Sequence, residues 1–65
     1  MASYICDYAK ISPVNLEMII QRAFPRATIY WSDINENCFK IHVFELGYFL
    51  DELEDIIAEY LWVEE

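Results

Sequence analysis

Apolar side chains in this sequence switch between two spacings, and these switches constrain the fold more than any other feature. Residues 3–9, 27–32 and 38–45 are rich in aromatic and β-branched side chains, which favour β-strands. Residues 13–24 and 48–63 instead repeat their apolar side chains every three or four positions, as amphipathic helices do. The sequence therefore predicts the order β-α-β-β-α.

The first helix has clear start and stop signals. Ser12 is placed to cap the helix, and Pro13 takes the first helical position, where its missing N–H costs nothing. Pro25 ends the helix, since the residue before a proline disfavours helical geometry. The face that this helix buries is predicted to contain Leu16, Ile19, Ile20, Ala23 and Phe24.

The order of elements also predicts a topology. A right-handed crossover between the first two strands leaves room for the third strand between them. We therefore expect an α+β fold with a three-stranded antiparallel-type sheet in the order 1-3-2 and both helices on one face. The face toward the helices is predicted to hold Ile29, Trp31, Phe39, Ile41 and Val43, and the open face Thr28, Tyr30, Lys40, His42 and Phe44.

This topology resembles a ferredoxin-like fold that lacks its last strand. The resemblance covers the arrangement of elements and implies nothing about function, because one fold hosts many functions. It does imply an open sheet face and an unprotected edge at the first strand. A second copy of the chain could pair with that edge.

The length bounds the organisation: the 65 residues make one domain, residues 1–65. Such a chain buries only about 60% of the surface that its unfolded form exposes. Because 57% of the residues are hydrophobic, we expect more apolar surface than one core can hide, and hence self-association. We see neither a signal-peptide pattern nor the roughly 20 apolar residues of a membrane span. We therefore expect a cytoplasmic protein, in the host cytoplasm if the chain is viral.

The negative charge is concentrated at one end of the sequence. The net charge is −8, which disfavours direct binding to nucleic acids and to anionic membranes. Residues 1–45 hold five acids and four bases, whereas residues 46–65 hold seven acids and no base. The second helix therefore carries nearly all of the net charge, and a basic protein surface is its natural partner.

Helical spacing divides the second helix into two sides. The core side is predicted to hold Leu46, Phe49, Leu50, Leu53, Ile56, Ile57, Tyr60 and Leu61. Opposite lie Asp51, Asp55 and Glu59, with Glu52 and Glu54 at the flanks. Like charges four residues apart destabilise a helix, and acids near its C-terminus oppose the macrodipole. A sequence selected for stability alone would place bases there.

Two interpretations of the acidic side remain open. It could simply keep an apolar small protein in solution. It could instead bind a partner, with Tyr48 and Trp62 as aromatic anchors at its two ends. Carboxylates four residues apart lie about 6 Å apart along the axis, a spacing similar to that of phosphates on a nucleic-acid strand. The predicted partner-binding residues are therefore Tyr48, Asp51, Glu52, Asp55, Glu59 and Trp62.

Sites for catalysis, metals and cofactors are not expected. His42 is the single histidine, and no sequence pattern places a nucleophile beside it. Residues 33–37 begin like a calcium loop, but the required glycine and the final bidentate glutamate are missing, which favours a hairpin turn. Cys6 and Cys38 lack metal-ligand spacing; we expect two buried thiols, although a disulfide between them stays open. We therefore predict no cofactor and no metal.

Three functional hypotheses follow. The first is a non-enzymatic protein that binds a basic, nucleic-acid-binding partner by mimicking nucleic acid. In size and charge the chain is similar to phage-encoded inhibitors of host nucleases, restriction enzymes or CRISPR complexes. The second is a structural or regulatory homodimer, such as an immunity protein or a small complex subunit, that uses Tyr30, His42 and Phe44 on the open face as its interface. The third is an enzyme that uses its acids with a divalent metal.

Overall fold

A computed structural model describes residues 2–44 and 49–63 of the chain. It confirms the predicted order of elements and the α+β fold. A short 3-10 helix directly follows the second α-helix. The elements are β1 (Ala2–Asp7), α1 (Pro13–Ala23), β2 (Thr28–Asp33), β3 (Cys38–Phe44), α2 (Leu50–Ile57) and the 3-10 helix Ala58–Tyr60.

The sheet has the predicted strand order, β1-β3-β2, and β3 pairs antiparallel with both neighbours. One row across the three strands joins Tyr4, Ile41 and Trp31 on the helix-bearing face. The next row joins Ser3, His42 and Tyr30 on the open face. Because successive residues of a strand point to opposite faces, this register fixes which side chains can meet.

The core lies between one face of the sheet and the two helices. α1 packs over β2, and α2 packs over β1. The buried side chains come from both α-helices and from all three strands, with the largest share from β3, as expected for helices on a single face of a sheet. The fully buried residues include Cys6, Leu16, Ile20, Phe39, Ile41, Val43, Leu53 and Ile57.

The helix α1 begins as predicted but buries a narrower face. The Ser12 hydroxyl accepts a hydrogen bond from the Asn15 N–H at 3.3 Å, and Pro13 occupies the first turn. Leu16 and Ile20 are buried, whereas Ile19 is 38% exposed and Ala23 is exposed as well. The predicted buried face was therefore too wide, because a two-layer domain covers only the side of the helix that faces the sheet.

The helix α2 is shorter than the predicted segment 48–63. It ends at Ile57, the 3-10 helix ends at Tyr60, and Leu61 is already extended. Phe49 and Leu50, both predicted for the core side, are 51% and 44% exposed. One row of side chains, four residues apart, is enough to cover β1, and the chain then leaves the helix. The predicted core residue Leu46 lies outside the described residues.

Trp31 also departs from its predicted place in the core. The register puts it on the helix-bearing face opposite Ile41, yet it is 41% exposed. Among the strands that the structure describes, β2 lies at the edge of the sheet and has β3 as its one neighbour. The sequence pattern gave the face of Trp31 correctly but could not give its position at the rim of the sheet.

The outer edge of β1 is partly paired, contrary to the expected bare edge. Leu61 forms an antiparallel bridge with Cys6, and the Trp62 N–H donates to the Ile5 carbonyl at 2.9 Å. The Lys10 ammonium also donates to the Leu61 carbonyl at 2.9 Å. The residues after the 3-10 helix thus begin to occupy the strand position that the predicted fold lacked.

Cys6 and Cys38 are both buried and both free thiols. Cys6 lies opposite Phe39 and Cys38 opposite Asp7, so the two thiols belong to opposite faces of neighbouring strands. Within residues 2–44 and 49–63, no helix is long and apolar enough to span a membrane.

Candidate functional site

The acidic residues of the second helix are exposed. We define the acidic face as Asp51, Glu52, Asp55 and Glu59, all of which are exposed. The first three belong to α2, and Glu59 lies in the 3-10 helix that continues it. Tyr48, the aromatic residue predicted at one end of this face, lies outside the described residues.

The short helix changes the electrostatics of the acidic face. Because α2 begins at Leu50, Asp51 and Glu52 occupy its first turn, where the positive end of the helix dipole stabilises carboxylates. The destabilisation expected from like charges and from the helix dipole therefore applies to Asp55 and Glu59, which are four residues apart and lie toward the C-terminal end. The last turn of α2 contains no basic residue that would offset them. These two acids are the ones whose placement local helix stability does not explain.

Glu54 differs from the acids of the acidic face because it contacts β1. Its carboxylate accepts a hydrogen bond from the Tyr4 hydroxyl at 3.5 Å. Burial raises the pKa of Tyr4, and the neighbouring Glu54 carboxylate raises it further. Glu54 therefore helps to position α2 against the sheet, and it is not part of the acidic face.

Trp62 does not lie on the helix, whereas the helical prediction placed it at one end of the acidic face. It lies in the extended segment beside β1, opposite Ile5. Since Leu61 packs against the core, the alternation of an extended chain places Trp62 on the open-face side. Trp62 is 37% exposed and belongs with the sheet surface.

The open face brings together the three residues predicted for a second interface. The rings of Tyr30 and Phe44 meet edge to face, with their centroids 5.8 Å apart. His42 lies directly opposite Tyr30 in the register, and its Nδ1 atom is 2.9 Å from the Ser3 hydroxyl. We define the open face by these residues together with Ile5 and Trp62.

Sequence reasoning had missed Ser3, Ile5 and Trp62 as members of the open face. The alternation in β1 carried a signal for the first two, because Ser3, Ile5 and Asp7 are spaced two apart. Nothing in the sequence signalled the position of Trp62, since it depends on where the last helix ends.

The loop between β2 and β3 is a hairpin turn, as the sequence predicted. The Asn35 side-chain oxygen accepts hydrogen bonds from the N–H groups of Asn37 and Cys38, at 2.7 and 3.1 Å. This arrangement is an Asx-type turn, which stabilises the loop by local hydrogen bonds. In the part of the chain that the structure describes, no group of three or more His, Cys, Asp or Glu residues could hold a metal ion.

Two shallow grooves flank the helices. One has a volume of about 390 Å³ and lies where the end of α1 meets the start of α2, with the rings of Phe24 and Phe49 5.9 Å apart. The other, of about 480 Å³, lies between α1 and the 3-10 helix and is lined by Lys10, Arg22 and Tyr60, among others. Among the described residues, neither lining includes a serine, threonine, cysteine or histidine.

Comparison with known proteins gives no match to a family model, to a curated protein or to a solved structure.

Proposed function

We propose that this chain is a non-enzymatic binding protein whose acidic face binds a basic protein surface. The observation that carries the proposal is the exposure of all four carboxylates on one helical segment, within a stretch, residues 46–65, that contains no base. A surface of this kind attracts positively charged partners and accelerates their encounter.

The partner that fits best is the basic surface of a nucleic-acid-binding protein. Asp51 and Asp55 of α2 are four residues apart, which corresponds to about 6 Å along an α-helix, and Glu59 follows four residues later in the 3-10 helix. Such a row of negative charges can occupy a site built for consecutive phosphates. The proposed outcome is inhibition by nucleic-acid mimicry, as in phage-type inhibitors of host nucleases, restriction enzymes or CRISPR complexes.

Charge reversal with a matched control tests this proposal. The variant Asp55→Lys/Glu59→Lys changes the net charge by +4 on the acidic face, and Glu17→Lys/Glu36→Lys makes the same change elsewhere. Both tagged variants and the wild type are used as bait in extracts of the source cell or its host, at low and at raised salt. We expect the wild type and the control to retain a nucleic-acid-binding protein that added duplex DNA or RNA displaces.

The variant Asp55→Lys/Glu59→Lys should no longer retain the nucleic-acid-binding protein, and raised salt should release that protein from the wild type. Equal retention by all three baits would overturn the proposal. The acidic face would then serve only to keep the protein in solution, and both double variants should lower solubility to the same extent.

The open face favours a second candidate function, a structural or regulatory homodimer such as a small complex subunit. The observation behind it is that Ile5, Tyr30 and Trp62 expose large side chains on the sheet side that the helices leave uncovered. Sedimentation over a range of protein concentrations tests it. A monomer at high micromolar concentration would overturn it.

A further inference from the structure

The two edge strands of the sheet differ in whether another segment pairs with them. The outer edge of β1 is closed at Ile5 and Cys6 by the segment that begins at Leu61. Within residues 2–44 and 49–63, no segment pairs with the outer edge of β2. The backbone of Thr28–Asp33 therefore presents a row of N–H and C=O groups to its surroundings.

The edge at β2 also lacks the features that normally prevent pairing. Proteins protect such edges with lysine, with proline or with an inward-pointing charge. β2 has the sequence TIYWSD, which contains neither lysine nor proline, and its one charge is at the last residue. Tyr30 and Trp31, in the middle of the strand, are 60% and 41% exposed. This is a surface suited to receiving another strand.

We propose that a second copy of this chain pairs antiparallel with β2, so that two three-stranded sheets form one six-stranded sheet. This inference rests on the homodimer candidate but places the contact at the β2 edge of the sheet, not over the open face at Ile5 and Trp62; it is independent of the acidic face. A two-fold axis perpendicular to the sheet puts the open faces of both copies on one side and the helix-bearing faces on the other. Each side chain of β2 must therefore lie opposite a side chain from the same face of the second copy.

The charge and burial of β2 select the register. With the axis at Tyr30, Thr28 lies opposite Ser32 of the second copy, and Asp33 falls at the end of the ladder. The exposed Trp31 then lies opposite the Ile29 of the second copy on the helix-bearing face. An axis at Trp31 would instead put Asp33 opposite the buried Ile29, which would bring a carboxylate against an apolar side chain.

The distribution of charge favours the β2 edge over every contact near α2. α2 packs over β1, at the far side of the sheet, whereas α1 packs over β2. Pairing through β2 therefore keeps the two acidic faces at opposite ends of the dimer. A contact through β1 would bring them together, and with a net charge of −8 per chain the repulsion would oppose association.

The proposed pairing also joins the two open faces. The Tyr30 rings of the two copies would be cross-strand neighbours, each already packed against Phe44 of its own chain. The rings of Tyr30 and Phe44 from both copies then form one continuous aromatic surface across the two-fold axis.

The test compares two lysine substitutions on the same sheet. Tyr30→Lys places two ammonium groups opposite each other at the proposed axis, whereas Ile5→Lys adds the same residue type on the open face at β1. Sedimentation of the wild type and both variants gives the dissociation constant of the dimer. We expect Tyr30→Lys to raise it more than tenfold and Ile5→Lys to leave it within twofold of the wild type.

A cysteine substitution checks the register. Tyr30→Cys should give a disulfide-linked dimer under mild oxidation, and Phe44→Cys should not; the native Cys6 and Cys38 are buried. A wild-type monomer at high micromolar concentration would overturn both the pairing and the homodimer candidate. A dimer that Ile5→Lys weakens, or that Tyr30→Lys leaves intact, would overturn the β2 pairing alone.

Discussion

The backbone N–H of Trp62 donates a hydrogen bond to the carbonyl oxygen of Ile5 at 2.9 Å. Together with the bridge between Leu61 and Cys6, this bond attaches the segment after the 3-10 helix to the outer edge of β1. Because this segment is extended, Trp62 does not belong to the helical surface, and Leu61 packs against the core. The pairing of residues 61–62 with β1 thus accompanies the end of the helix, covers part of a sheet edge and places Trp62 beside the sheet.

If this segment stabilises the fold, shortening Leu61 should have a measurable cost. Leu61 is half-buried against the core, so we expect Leu61→Ala to lower the free energy of unfolding by roughly 1–2 kcal/mol, less than for a fully buried leucine. Urea denaturation measures the change. Val63→Ala is the control, because Val63 is 65% exposed and its truncation should have almost no effect. Equal effects of the two substitutions would mean that the segment does not pack as described.

Two leucines of α2 test the limits of its buried face. Leu53 is fully buried and Leu50 is 44% exposed, although helical spacing predicted both for the core. We expect Leu53→Ala to cost about 2–5 kcal/mol and Leu50→Ala less than about 1 kcal/mol. Thermal and urea denaturation of the two variants measure the difference. Similar losses would show that α2 buries the wider face that the sequence pattern predicted.

The buried thiol of Cys6 predicts a loss of stability in alkaline solution. Burial raises the pKa of Cys6 from 9.0 to about 11, so between these values the folded chain holds a proton that the unfolded chain releases. Stability from this group is complete below pH 9 and is lost as the pH rises toward 11, by an amount on the order of 1 kcal/mol at pH 10. The raised pKa of Tyr4 acts in the same direction.

The variant Cys6→Ala isolates the contribution of the thiol. Urea denaturation at pH 7.5 and at pH 10 gives the loss of stability for each protein. We expect the loss in Cys6→Ala to be smaller than in the wild type by an amount on the order of 1 kcal/mol, with the Tyr4 contribution retained. An identical loss in both proteins would contradict the assignment to Cys6.

The acids of the acidic face should differ in their effect on stability. Asp51 lies in the first turn of α2, so Asp51→Asn should lower the free energy of unfolding by roughly 0.3–1 kcal/mol. Glu59 lies beyond the end of α2 and four residues after Asp55, so Glu59→Gln should leave stability unchanged or raise it by a few tenths of a kcal/mol. Denaturation at low ionic strength measures both changes. A loss in Glu59→Gln as large as that in Asp51→Asn would rule out the dipole explanation.

The order of the elements and the sheet topology could be predicted from the sequence because they depend on local patterns. Ser12 and Pro13 mark the start of α1 by the chemistry of a helix N-terminus, and the structure has that cap. The alternation in β3 gave the faces of Phe39, Ile41 and His42 correctly. These signals are encoded within a few neighbouring residues and need no knowledge of the rest of the chain.

The residues of the candidate sites also differ in whether local patterns could place them. The exposure of Asp51, Asp55 and Glu59 followed from helical spacing, and the grouping of Tyr30 with Phe44 followed from strand alternation. The place of Trp62 could not follow from either pattern. Its position depends on the point where the chain leaves the helix to pair with β1. The helical spacing of apolar residues continues past that point, so the sequence pattern does not show where the helix ends.

By itself, the sequence determined the elements, their order, the faces of the strands and the concentration of negative charge after residue 45. Only the tertiary structure decided how much of each predicted face is covered. Ile19, Trp31 and Leu50 have the spacing of core residues but remain exposed, because two short helices on one face of a three-stranded sheet cover only part of each predicted face. The tertiary structure also decided which sheet edge is closed, because that depends on a backbone pairing between residues 5 and 62, which are far apart in the sequence.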